Sequence, residues 1–324
     1  MMPGMRGTIA LMVSVLALVG AQPASATPAR PPVPGSSCEV FPANNVWNMD
    51  ISKLPVAAKN EVWKRSMHAG STMLHPDFGP PAYGMPFDVV DRTHQTVHVD
   101  FGYADESDPG PYPFGPDIHT EDGSDRHALM IDRDTCTLYE LYAADWHGGS
   151  PTAGSGAIFH IDGPNANDLR PASWTSADAA GLPIFPGLVR WDEVKAGAIQ
   201  HAIRFTVDCT SRRYLWPARH QAGTDDGRCP PMGARFRLKA GFDVSRFSGD
   251  AKVILTAMKR YGLIVADNGS DWYFQGEVNP HWTNELMDEL KSIPAGLFVA
   301  VNEAGCRVSP DSAAFAYGPS CPAP

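Results

Sequence analysis

The chain has 324 residues, and 36 acidic against 26 basic side chains give it a formal net charge of −10. That balance argues against nucleic acid as a partner, because neutralising phosphates takes a basic surface. With 30 glycines and 30 prolines, turns should be frequent and long helices few.

In chain order, the first 26 residues read as a secretory signal peptide. Arg6 supplies a positive charge, an apolar run extends from Ile9 to Val19, and Ala24-Ser25-Ala26 is a small-x-small cleavage site. The run is shorter than the ~20 residues a membrane span needs. Cleavage after Ala26 would release a secreted chain that needs no membrane. Residues 27–37 then form an extended Pro-rich leader, and residues 38–324 a single domain. Between Pro55 and His68, the spacing of Val56, Asn60, Trp63 and Met67 predicts a helix.

Short β-type runs follow at Met85–Val90, Thr96–Tyr103, Arg126–Asp132, Leu138–Ala144 and Gly156–Asp162, each flanked by Gly, Pro, Asp or Asn. A strand is predicted from His201 to Val207, paired across the loop at Cys209 with RRYLWPA. In ARFRLKAG, Arg235, Arg237 and Lys239 alternate with Phe236 and Leu238, which predicts one solvated or polar-lined face. Ser248 is the expected N-cap of a helix that Gly262 ends. The strands LIVAD and WYFQG and a last helix, NELMDELKSI, complete the pattern. The fold expected is α+β: a mainly antiparallel, sandwich-like sheet core with a few short helices, braced by disulfides.

Six cysteines in an exported chain favour disulfides over metal ligands, and the lack of a CxxC weakens a zinc or redox reading. Of the 15 possible pairings, the preferred set is Cys209–Cys229 and Cys306–Cys321, two short closures around turn-rich segments. Cys38–Cys136 is the pair that remains.

The stretches FPANNVWN, SDRHALMIDRDTCTLYELY, GLPIFPGLVRWDEV and WPARHQAG give the chain, from about Phe41 to Trp282, a resemblance to a family of exported, actinobacterial-type bacterial proteins. The resemblance implies no particular reaction. Members joined to wall- or sugar-binding modules imply an extracellular polysaccharide setting. The family commonly has Asp where this chain has His160, so no essential carboxylate is expected there.

No HExxH, GxSxG or phosphate-binding glycine loop is present. Seven acids fall between Asp105 and Asp125: Asp105, Glu106, Asp108, Asp117, Glu121, Asp122 and Asp125. They read as a solvated acidic loop, with a structural Ca²⁺ as the sharper alternative; no other cofactor or metal is implied.

Glu140 is different, because Leu138 and Tyr142 flank it on its own strand face. A carboxylate among large apolar neighbours is either paired with a cation or has a raised pKa. Glu140 is therefore the candidate acid, Asp125 or Asp267 the candidate ionised partner, and His127 a neighbour that tunes them. Arg219, His220, Trp216 and Tyr142 are the candidate substrate-binding residues. Together they predict a monomeric glycoside hydrolase acting on an extracellular or cell-wall polysaccharide with paired carboxylates. A polysaccharide lyase is the catalytic variant, with Arg235, Arg237 and Lys239 suited to an acidic glycan. A non-catalytic glycan- or wall-binding protein is the reading from another class, and it would present a row of exposed aromatics.

Overall fold

The computed structural model describes Met1 and residues 29–225 and 227–324. The signal peptide and its cleavage site lie outside the described residues. Of the Pro-rich leader, Val33 is buried and exchanges turn hydrogen bonds with Ser36 and Cys38, so this part is tied to the body of the protein.

Thirteen strands are present among the described residues. They are β1 (His75–Asp77), β2 (Asp88–Val90), β3 (Asp100–Phe101), β4 (Ala128–Asp132), β5 (Thr137–Tyr142), β6 (Asp145–Trp146) and β7 (Pro151–Ala153). The remainder are β8 (Ser155–His160), β9 (Ile203–Val207), β10 (Arg235–Leu238), β11 (Leu263–Asn268), β12 (Tyr273–Gln275) and β13 (Phe298–Val301). The α-helices are α1 (Asn60–Ser66), α2 (Trp191–Ala196), α3 (Gly249–Arg260) and α4 (Asn284–Lys291). The strands form a six-stranded sheet (β1-β12-β9-β11-β10-β13), a four-stranded sheet (β2-β4-β5-β8) and a small three-stranded one (β3-β7-β6). The fold is α+β, as expected, but the sheets are mixed. The pairs β9–β11, β1–β12, β2–β4 and β3–β7 are parallel, while the hairpin β4–β5 and the pair β5–β8 are antiparallel.

Both larger sheets feed one core. Leu129, Ile131 and Leu138 from the hairpin share it with Ile203, Phe205, Phe236 and Val265 from the six-stranded sheet. Trp272 lies fully buried against Phe205 and Phe236, with ring centroids 5.6 Å away from each. Tryptophan contributes large apolar area there, and its N–H donates to the Met67 carbonyl at 2.8 Å. Three disulfides close the chain: Cys38–Cys136, Cys209–Cys229 and Cys306–Cys321, the preferred pairing. They suit an oxidising compartment. Among the described residues, no helix is long and apolar enough to cross a membrane.

One expectation fails and another is narrowed. The segment RRYLWPA is not a strand beside β9; it makes an isolated bridge at Tyr214, and Ala218 N–H turns back onto the Leu215 carbonyl. Pro217 has no N–H to give a ladder, and β9 is instead flanked by β11 and β12. For β10 the polar-lined alternative holds and the solvated one does not, because all four of its residues are buried. Its arginines serve the interior. Arg235 donates to the carbonyls of Val46, Met49 and Tyr261, and Arg237 to those of Leu54 and Leu238. They are therefore not available to an acidic glycan.

Candidate active site

Where the C-terminal ends of β5 and β11 meet the start of β8, the two larger sheets leave a cavity of about 440 Å³. Tyr142 and Ser155 are opposite each other across the β5–β8 ladder. Asp267 comes from β11 just past a break in register between Val265 and Asp267. Such a bulge re-aims a side chain out of strict alternation, and bulges concentrate beside active sites. The segment from Thr175 to Ala179 and His220 close the wall, and Asp125, Tyr103 and Glu106 reach it from the acid-rich loop.

That loop is pinned by one buried arginine. Arg170 donates to the carbonyls of Thr175 (2.7 Å) and Glu106 (2.9 Å) and pairs with Asp108, which also accepts from Ile158 N–H. The Glu106 carboxylate accepts from Thr175 N–H at 3.0 Å. His220 donates Nδ1–H to the Ala179 carbonyl (2.8 Å), leaving Nε2 3.7 Å from Glu106 Oε2. An imidazole fixed in this way has its second nitrogen free to accept or pass on a proton.

Behind the wall lies a buried charge cluster. Arg204, a cation in the middle of the apolar strand β9, binds Asp178 at 3.0 Å through Nη2 and 3.2 Å through Nε, and approaches Asp267 at 3.8 Å. Burial pushes the carboxyls of both Asp178 and Asp267 above the usual range, with Arg204 opposing. Asp267 keeps 24% of its side-chain surface, so it is the member of the pair that opens to solvent. The Tyr142 phenol is raised as well, first by burial and then by Asp125, Tyr103 and Asp267. This places the tyrosine within the field of both aspartates.

Of the eight residues singled out from the sequence, the structure brings four onto this cavity: Asp125, Asp267, Tyr142 and His220. His127 is buried behind it, its ring 5.8 Å from that of Tyr142. Its Nδ1 bonds Glu121 at 2.5 Å and its Nε2 faces the Ala177 carbonyl at 3.0 Å. Burial disfavours the imidazolium, but the Glu121 bond and charge outweigh burial and raise its pKa.

Glu140 does not line the cavity. It is fully buried opposite Leu129 and accepts N–H bonds from Ile184 and Phe185, each at 2.9 Å. Burial pushes its pKa up to about 7. Its role in the structure is to anchor the segment at Ile184 to the hairpin. Arg219 and Trp216 line a separate cavity. Arg219 clamps the carbonyls of Arg170 and Pro310 and the Asp311 carboxylate, while the Trp216 indole donates to Ser312.

Asp178, Arg204 and Glu106 had not been singled out as site residues. Arg204 was legible: a lone arginine in IRFTV must find a buried partner. Asp178, among the small residues of SADAAG, carries no such signal. Among the described residues, no group of three or more His, Cys, Asp or Glu side chains is arranged to hold a metal ion. Three of the loop's seven acids have separate partners, Asp108 with Arg170, Asp117 with His94 and Glu121 with His127, while Asp105, Asp122 and Asp125 are exposed.

No family model, curated protein or solved structure matches the chain. Any functional reading therefore rests on the cavity itself.

Proposed function

We propose that the protein is a secreted carbohydrate-active enzyme, a glycoside hydrolase acting on an extracellular or cell-wall polysaccharide. The carrying observation is a pair of carboxylates in unlike surroundings on one cavity. Asp267 is half-buried with a raised pKa, and Asp125 is exposed to solvent. Glycoside cleavage needs one protonated and one ionised carboxyl flanking the bond. In this reading Asp267 gives its proton to the leaving oxygen as the glycosidic bond breaks, a water adds to the anomeric carbon, and Asp125 takes that water's proton. Tyr142, Glu106 and His220 hydrogen-bond the sugar hydroxyls.

Hydrolysis is favoured over elimination because, among the described residues, no Arg or Lys lines the cavity to neutralise a uronate. A purely binding role is less favoured, since all eight tryptophans are buried or half-buried and, of the exposed tyrosines Tyr83, Tyr103 and Tyr317, Tyr103 alone lines the acidic cavity. The signal-peptide pattern and the three disulfides support export.

The test is a screen of the purified mature protein against neutral and acidic bacterial and plant polysaccharides, with and without EDTA. New reducing ends without ultraviolet-absorbing unsaturated uronates are expected. Asp267→Asn should lower the rate at least ~100-fold, the scale of a general acid, while melting as the wild type does. Silence across the panel, unsaturated products, or an active Asp267→Asn variant would each reject the reading.

A further inference from the structure

Glu121 and His127 close the loop that carries Asp125. His127, immediately before β4, accepts Glu121 N–H on its carbonyl at 2.8 Å and points its own N–H at Glu121 Oε2 at 3.4 Å. Ala143 N–H, at the end of β5, holds the Asp125 carbonyl at 2.8 Å. The His127 side chain keeps only 4% of its surface and reaches in two directions. Nδ1 meets Glu121 Oε2 at 2.5 Å, and Nε2 meets the carbonyl of Ala177, a residue of the cavity wall, at 3.0 Å.

These two contacts count the protons. A backbone carbonyl only accepts, so Nε2 carries a hydrogen. A neutral imidazole then has a lone pair at Nδ1, facing an ionised carboxylate across 2.5 Å in a site closed to water. Two acceptors do not bond, so a second proton lies between them, on Nδ1 or on the carboxyl. Free glutamate and histidine, with ordinary pKa values of 4.5 and 6.5, hold no such proton above pH 6.5. Folding therefore takes one up.

The groups around the ring are Glu121 from the loop, Arg204 from β9, Asp267 from β11, and Glu140 and Tyr142 from β5, with Asp178 beside Ala177 but paired to Arg204. Burial opposes a charge on the ring, the Glu121 bond and charge favour it, Arg204 opposes it and Asp267 favours it. The balance raises the histidine and lowers the glutamate. A raised histidine contributes fully below pH 6.5 and loses that contribution as the pH rises through its folded value.

We propose that Glu121 and His127 share one proton as a clamp that fixes the Ala177 wall of the acidic cavity to the Asp125 loop, and that alkaline pH loosens it. Without the proton the ring must give up one of its two bonds. The clamp stands on these contacts; its bearing on catalysis rests on the hydrolase reading.

Glu121→Gln is the discriminating variant. Its amide can donate to Nδ1 while Nε2–H keeps Ala177, so the contact needs no added proton. From pH 6.5 to 8.5, the folding equilibrium constant of the wild type, from urea unfolding, should fall relative to that of Glu121→Gln by up to ~10-fold per pH unit, the linkage of one proton. The carboxyls of Glu140, Asp178, Asp267 and Glu303 titrate in both proteins and cancel in the ratio. Proton NMR at pH 7.5 should show a far-downfield bridging resonance that Glu121→Gln abolishes. Amide exchange in residues 173–182 should be no faster in the wild type than in the variant at pH 6, and faster at pH 9. A flat ratio, a missing resonance, or equal exchange at pH 9 would each overturn the clamp, while reducing ends released from a polymer would still uphold the hydrolase. Positive readouts with no polymer cleaved uphold the clamp and reject only the hydrolase.

Discussion

Replacing Arg204 with methionine isolates the charge cluster behind the acidic cavity. Methionine matches much of the arginine's length but leaves Asp178, fully buried, without the guanidinium that holds it at 3.0 and 3.2 Å, and Asp267 without its neighbour at 3.8 Å. Removing one partner of a buried pair costs about 3–5 kcal/mol. For a chain of this size each kcal/mol moves the melting point by roughly 2–4 °C, so a fall of roughly 6–20 °C is expected at pH 8. The cost should shrink on acidification. Arg204 lowers the pKa of both aspartates, so its removal raises them further. Groups with a raised folded pKa contribute stability below their unfolded pKa and lose it as the pH rises through the folded value. The variant should therefore be closest to wild type near pH 5 and worst at pH 8. Differential scanning calorimetry at the two pH values reads this directly. A drop below ~2 kcal/mol at pH 8, or the same drop at both pH values, would refute the claim that Arg204 neutralises this cluster.

Three further outcomes are expected. Glu140 has its pKa raised by burial from the ordinary 4.5 to about 7, so it contributes stability below pH 4.5 that disappears as the pH rises through about 7. Glu140→Gln should flatten that loss, on the order of 3 kcal/mol, in urea midpoints taken from pH 5 to 8, and should retain most activity because Glu140 lies off the cavity. Opening Cys38–Cys136, which closes 98 residues, with paired serines should cost ~4–5 kcal/mol, against ~3 for Cys306–Cys321 with its separation of 15; equal costs in urea unfolding would contradict the loop-entropy account. Gly181 has φ +68°, and a Cβ there would lie 2.4 Å from the Trp174 carbonyl and 3.1 Å from Arg219 Cβ. Gly181→Ala should therefore destabilise the fold by ~1–3 kcal/mol in urea unfolding, and an unchanged midpoint would contradict both the left-handed backbone and the crowding at this position.

Much of the local structure was written in short-range pattern. The short β-prone runs ALMID and TLYELY, bounded by turn residues, mark β4 and β5, which bury both faces, and the apolar stripe of Ile254, Ala257 and Met258 marks α3. The cysteine pairing was legible too, since two short closures leave one pair. Glu140 was recognisable as an acid with a raised pKa because its same-face neighbours are apolar.

What Glu140 does with that carboxyl was decided elsewhere. Its partners, Ile184 and Phe185, lie more than forty residues away, and nothing near Glu140 in sequence announces them. The cavity is likewise a tertiary product. It joins β5, β8 and β11 across two sheets, and the bulge that turns Asp267 outward is a matter of register between β9 and β11. Alternation along one strand does not show where a bulge will break the ladder. Arg219 and His220 show the same division: adjacent in sequence, they serve different cavities, because Gly181 and the Ala180 carbonyl hold the backbone between them. The sequence by itself determined the period of each element and the chemical types on offer. The packing of the two sheets decided which carboxylates meet solvent together, since burial and proximity, the causes of every pKa shift here, exist only once distant segments touch.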